Sequence, residues 1–250
     1  MFSIKNSIIG TYSVFDDSNK KKSFEISRWS GLLQFFVILF TLAEEVWYFL
    51  RRPFLLFQLY HEFNKNDYKI TVFPMSFYGL THVTVQRCLG VHNMHETIQR
   101  ALSLAFMSLS FVLSFTISNQ IAGIEEDRKN KPWRPLIRKL CSIDFAYLLL
   151  ILSTAVYLIH GYVEDVFWYC VVWVITFVFH NHLKGDQLWW CKNLCNLVGA
   201  FCMQSSCCKM MTGGPIDDFS TLFFAVTSLY FWAIIDMQDF RDGRRQDYWT

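Results

Sequence analysis

Four stretches of this chain, 103–118, 145–160, 166–180 and 222–235, contain no Asp, Glu, Lys or Arg. Charge-free apolar runs of that length leave few folds open. A helix needs about 20 mostly apolar residues to cross the ~30 Å hydrocarbon core of a bilayer, where a backbone must satisfy its own polar groups. Extending these and similar stretches to their polar ends gives six expected crossings, roughly 72–90, 101–120, 143–160, 164–180, 193–211 and 219–235. The expected fold is all-α: a polytopic transmembrane helical bundle of about six spans plus an N-terminal interfacial helix. Composition agrees, since only 18% of residues are charged against about a quarter in soluble domains.

Residues 31–50 form a further apolar stretch, but Glu44 and Glu45 lie inside it. With six crossings, 20 of the 23 Lys and Arg fall in segments on one side, leaving Arg87, Arg100 and Lys209 for the other. Letting 31–50 cross would move the five basic residues of the tail to the far side. The positive-inside rule therefore favours an interfacial or re-entrant helix for 31–50. The linear organisation expected is a polar cytosolic tail (1–30), this helix with a linker (31–70), and a transmembrane bundle (71–250). The start, Met-Phe-Ser-Ile-Lys-Asn, has no cleavable signal pattern, and the endoplasmic reticulum is the default membrane for such a chain. A net charge of +2 gives no reason to expect a nucleic-acid partner. The basic loops match membrane lipid headgroups instead.

Cysteine and histidine carry little chemistry at this level. The eight Cys form no C-x-x-C pair and read as buried thiols acting as small hydrophobes. His92-x-x-His95 and His180-x-His182 have zinc-like spacing without a third ligand set, so loop or interface histidines are the better reading.

The polar residues that stand out follow the second crossing: Asn119-Gln-Ile-Ala-Gly123-Ile-Glu-Glu126-Asp127-Arg-Lys-Asn130-Lys131-Pro-Trp-Arg134-Pro135. On a continuous helix from 119 to 130, Glu126 and Asn130 fall about 20° either side of Asn119, and Asp127 about 80° away. Arg128 points the opposite way. One face would then carry oxygen ligands, with Gly123 leaving room beside them. Pro132 and Pro135 end the helix. Four crossings, an even number, separate this loop from Asp236-Met-Gln-Asp239-Phe-Arg241-Asp242, so both acidic segments emerge on the same, cytosolic, side. Asp236, Asp239 and Asp242 recur every third residue, which a helix brings close together.

Two acidic clusters at one depth can share Mg²⁺, which takes oxygen ligands and bridges carboxylates to substrate phosphates. Arg134, Lys131, Arg241 and Lys192 could neutralise the phosphate oxygens that remain. Stabilising a diphosphate leaving group lowers the barrier to breaking an allylic C–O bond. An aromatic, water-free chamber would protect the resulting cation. The competing readings are that the acids decorate solvated loops, or that Lys192 merely snorkels. The first is disfavoured by so many aligned polar groups at one span mouth. A transporter or channel would place charge deeper in the spans.

These residues resemble the UbiA superfamily of membrane prenyltransferases, whose first motif runs N-D-x-x-D-x-x-x-D-x-x-N-x-x-x-R-P. Asn119, Asp127, Asn130, Arg134 and Pro135 occupy its slots, while Gln120 and Gly123 stand where the pattern has Asp. The Asn-Gln…Glu-Asp form is similar to the fungal branch of UbiA-type terpene cyclases and related prenyltransferases. So are Asn66-Asp67-Tyr-Lys69-Ile-Thr-Val-Phe-Pro74 and Gln238-Asp239-Phe240-Arg241-Asp242. The likeness covers roughly 60–242. It implies Mg²⁺, held by Asn119, Glu126, Asp127, Asp239 and Asp242, and an isoprenyl diphosphate in a cavity walled by nine helices. The family pattern would continue past Asp242 with a Gly-Asp-Arg stretch and three more helices, so the resemblance implies a bundle lacking its last helices. Three functions follow as expectations: a terpene cyclase, an intermolecular prenyltransferase, and a fragment that only binds.

Overall fold

A computed structural model describes residues 31–88, 90, 93–183, 185 and 188–234. Among them the secondary structure is entirely helical, with no strand. The nine α-helices are α1 (Gly31–Leu50), α2 (Pro53–Asn64), α3 (Phe73–Cys88), α4 (Met94–Ala122), α5 (Ile124–Asn130), α6 (Ile143–Val163), α7 (Phe167–His182), α8 (Trp189–Thr212) and α9 (Asp218–Ile234). Helices thus stand at each of the six expected crossings. Of these, α4 and α6 are long and apolar enough to cross a membrane.

Local chemistry explains most boundaries. Pro53 has no N–H to continue α1 but suits the first turn of α2, where that donor is unneeded. Pro74 cannot donate to Ile70, and the residues before it, Tyr68–Val72, run as a π-helix closed by the Phe73 N–H on the Tyr68 carbonyl. At the start of α4, the Asn93 side chain accepts from the Glu96 N–H at 2.9 Å, and Glu96 adds a favourable charge in the first turn. That cap carries α4 seven residues upstream of its expected start at 101. The short α6–α7 connection uses a left-handed residue, Asp165, at φ 57°.

The described residues belong to two compact units. One comprises 31–63 and 124–148. Here Glu45, 4% exposed, accepts from the Ser142 N–H at 2.8 Å and from the Ser142 hydroxyl. Ser142 in turn accepts from the Phe145 N–H, capping α6. One turn along α1, Phe49 stacks on Phe145 with ring centroids 4.8 Å apart. Glu45 is therefore part of the hydrogen bonding at the start of α6. Arg138 pairs with Glu62 of α2 at 2.7 Å.

The second unit, 64–123 and 149–234, is the bundle. Helix α8 packs against α3, α4, α7 and α9. Its centre is aromatic: Phe111 of α4 stacks on Trp173 of α7 at 4.5 Å, with Tyr157 and Phe177 edge-on to that pair. Gly199 lets the Trp173 ring lie against the α8 backbone, because an added Cβ would overlap it. Close packing and polar links of this kind can hold helices together where the hydrophobic effect gives them little reason to associate. Gln204 supplies such links to α9, donating to Ser228 and accepting from Thr227.

Candidate functional site

The continuous helix expected over 119–130 does not form. Helix α4 ends at Ala122, and Gly123, with ψ 19°, ends its regular geometry while its N–H still bonds the Asn119 carbonyl at 2.9 Å. A new seven-residue helix, α5, begins at Ile124. The single wheel that aligned Asn119 with Glu126 and Asn130 therefore holds only within each piece. The reason is Gly123 itself, which costs about 1 kcal/mol inside a helix and favours an end.

In the first unit, Asp127 is buried at 3% exposure, and its carboxylate accepts a hydrogen bond from Arg134. Glu126 beside it is exposed. Burial pushes the Asp127 carboxyl above its ordinary range, while Arg134 and Lys131 pull it back. The Lys131 N–H closes on the Asp127 carbonyl at 2.8 Å. Pro132 then ends α5, and turns carry the chain to Arg134, whose N–H bonds the Lys131 carbonyl at 3.0 Å. Arg134 is thereby folded back onto Asp127. The structure thus brings together Asp127, Lys131 and Arg134: one buried carboxylate and two cations.

In the second unit, Asn119 is half-buried near the end of α4. Lys192 is half-buried in the first turn of α8, its N–H on the Leu188 carbonyl. Asp236, Asp239, Arg241 and Asp242 lie outside the described residues, as do the polar tail and His92. Among the described residues, no three His, Cys, Asp or Glu side chains converge on a metal position. The donors of the first motif are all oxygens, amide or carboxylate, which suits a hard cation such as Mg²⁺. Waters and substrate phosphate oxygens ordinarily complete such a shell beside one or two carboxylates.

A polar network that the sequence did not reveal lies beside Asn119. His180 and the Asn181 amide oxygen are 2.8 Å apart, and Asn181 donates to Ser118 at 2.9 Å. Ser118 lies 3.0 Å from His182 Nε2. These roles are consistent with a chain in which His180 Nδ1–H, the Asn181 amide and the Ser118 hydroxyl each donate onward. Two residues earlier, Thr116 donates to Asn64, which is fully buried. The network ties the end of α4 to the end of α7 immediately before the motif begins. His180 and His182 are thus interface histidines. The only sequence signal was a polar His-Asn-His ending on an apolar helix, and its partner stands 63 positions away. All eight Cys are free thiols, seven of them buried.

Comparison with known proteins agrees with the motif. A somaliensene A/B synthase from Streptomyces somaliensis is 24% identical over 183 residues, covering 72% of this chain and 58% of the synthase. The chain thus spans about three-fifths of that relative's length. No solved structure matches it. The sequence pattern of the UbiA prenyltransferase family matches residues 89–248, which include the Asn119 to Pro135 motif and the Asp239 segment. With well over half its length inside that match, this chain belongs to the UbiA prenyltransferase family.

Proposed function

We propose that the protein is a membrane-embedded, Mg²⁺-dependent enzyme that ionises an isoprenyl diphosphate, farnesyl or geranylgeranyl, and cyclises it to a terpene. The observation that carries the proposal is the buried Asp127 held by Arg134, both in slots of the family motif. A buried carboxylate pays a large desolvation penalty unless a positive partner faces it. Arg134 is that partner here. A diphosphate would compete for Arg134 and a divalent cation for Asp127, so binding both exchanges one internal ion pair for two favourable contacts.

In this reading Asn119, Glu126, Asp127, Asp239 and Asp242 hold Mg²⁺, and Arg134, Lys131, Arg241 and Lys192 bind the diphosphate oxygens. Held by those residues, Mg²⁺ would supply positive charge for a diphosphate leaving group. The protein residues do the rest. Arg134 orients the leaving group by bidentate hydrogen bonding, and Phe, Tyr and Trp side chains exclude water and face the cation. The six helices α3, α4 and α6–α9 would cross the membrane, which we place in the endoplasmic reticulum with both acidic segments toward the cytosol. The interfacial assignment of α1 belongs to the same proposal.

Cyclisation is preferred because the matched relative is named as a synthase. A second reading, transfer of the prenyl group to an aromatic or other acceptor, draws support from the prenyltransferase family itself. Microsomes containing the full chain and supplied with farnesyl or geranylgeranyl diphosphate alone separate the two. A cyclic hydrocarbon product supports cyclisation, and turnover only with an added acceptor supports transfer. Absence of any Mg²⁺-dependent diphosphate release would leave the third expectation, a chain that binds without reacting.

A further inference from the structure

Helix α1 has two faces with different partners. Glu45 and Phe49 are buried against Ser142 and Phe145. The adjoining face, Leu39, Leu42, Ala43, Val46, Trp47 and Leu50, forms with Leu148 of α6 an open groove of about 270 Å³, and the described residues that line it are all apolar. Leu39, Trp47 and Leu50 remain half exposed or more. From Leu39 to Leu50 the groove runs eleven helical steps, about 16 Å. That is close to half the ~30 Å hydrocarbon thickness, the depth of a single leaflet.

The groove has a charged end. Directly after Leu50, the Arg51 guanidinium lies 4.3 Å from the centre of the Trp47 ring, a wall of the groove. Arg52 lies 4.2 Å from the Tyr48 ring. Both arginines are exposed, and neither pairs with a described carboxylate. Stacking on an aromatic ring leaves the guanidinium edge free to donate to an anion. Glu44 is exposed on the neighbouring flank, while Glu45 is engaged by Ser142.

We propose that this groove is a binding site for one anionic glycerophospholipid. An acyl chain lies along Leu39 to Leu50, and Arg51 and Arg52 hold a headgroup whose net negative charge is not cancelled by a choline cation beside the phosphate. Length, apolar lining and a cationic mouth at one end together match a phospholipid. A soluble phosphate would have no use for the groove, and a neutral lipid would have no use for the paired arginines. The proposal does not depend on the reaction.

Native mass spectrometry of the full chain, delipidated in detergent and titrated with phosphatidylserine or phosphatidylcholine, tests it. Phosphatidylserine should bind as a single adduct, roughly tenfold more tightly than phosphatidylcholine. The Arg51→Ala/Arg52→Ala double variant should lose that preference, and Arg51→Lys/Arg52→Lys should retain part of it. Ala43→Trp, which fills the groove and spares both arginines, should weaken both lipids. Leu39→Trp does the same if Ala43→Trp fails to fold. Equal binding of the two lipids, or a preference that survives loss of both arginines, overturns the proposal. So does unchanged phosphatidylserine affinity in a folded groove-filled variant, or displacement of the lipid by inorganic phosphate.

Discussion

The two units of this protein handle buried polarity in different ways. In the unit formed by 31–63 and 124–148, the groups taken out of water are ionisable: Asp127 against Arg134 and Glu45 against Ser142. Inside the bundle they are neutral amides and hydroxyls, such as Asn64 with Thr116 and Asn181 with Ser118. Ion pairs in the bundle stay near helix ends, as with Lys209 and Asp165 at 2.8 Å. Neutral pairs fix geometry at little electrostatic cost. A buried charge can be handed to a ligand that brings the opposite charge. The buried charge of Asp127 is therefore the group a ligand is expected to engage, and the neutral network is expected to hold geometry.

Four variants would break or sharpen that contrast. Asp127→Asn should remove Mg²⁺-dependent diphosphate release by roughly 10²- to 10³-fold, the scale of losing a group that stabilises transition-state charge. Release assays paired with circular dichroism would check it, and near-normal turnover in a folded variant would refute the division of labour. Trp173→Ala should cost about 3–5 kcal/mol by opening a cavity beside Phe111 and Gly199, read as loss of thermal stability in detergent with helicity kept at low temperature. Asn181→Ala should cost about 1–2 kcal/mol and leave chemistry within a fewfold. A collapse of activity without a stability change would mean the network is more than scaffold.

The smallest effect concerns pH. Burial raises the Glu45 carboxyl above its ordinary range, against the opposing pull of Ser142. As pH climbs, the unfolded chain ionises first, so the contribution of this group is complete below the ordinary carboxylate range. It is lost as pH passes through the raised value. Glu45→Gln should flatten that slope in a pH series of melting temperatures. An unchanged slope would assign the dependence elsewhere.

How much of this could be read beforehand depended on distance along the chain. The helices followed from apolar runs, and Asn93 with Glu96 even marks where α4 starts, although the expected boundary lay seven residues inside it. Asp127 and Arg134 were both legible as site residues. Their mutual contact was not, because turns rather than a helix connect them and periodicity says nothing about a turn. On a continuous helix Gly123 would leave space for a ligand, whereas its backbone preference ends α4 there. Ser118 and Asn181 stayed hidden altogether: no local pattern can announce a hydrogen bond between residues 63 positions apart.

Gly199 and Trp173 illustrate a constraint on how this protein can change. Because the indole occupies the volume that any side chain at 199 would need, the two positions behave as one unit of space. Enlarging the first is tolerable only after the second has shrunk. Evolution or an engineer seeking to reshape the bundle interior would have to cross an intermediate with either a steric clash or a void, so this corner is expected to change by paired replacement.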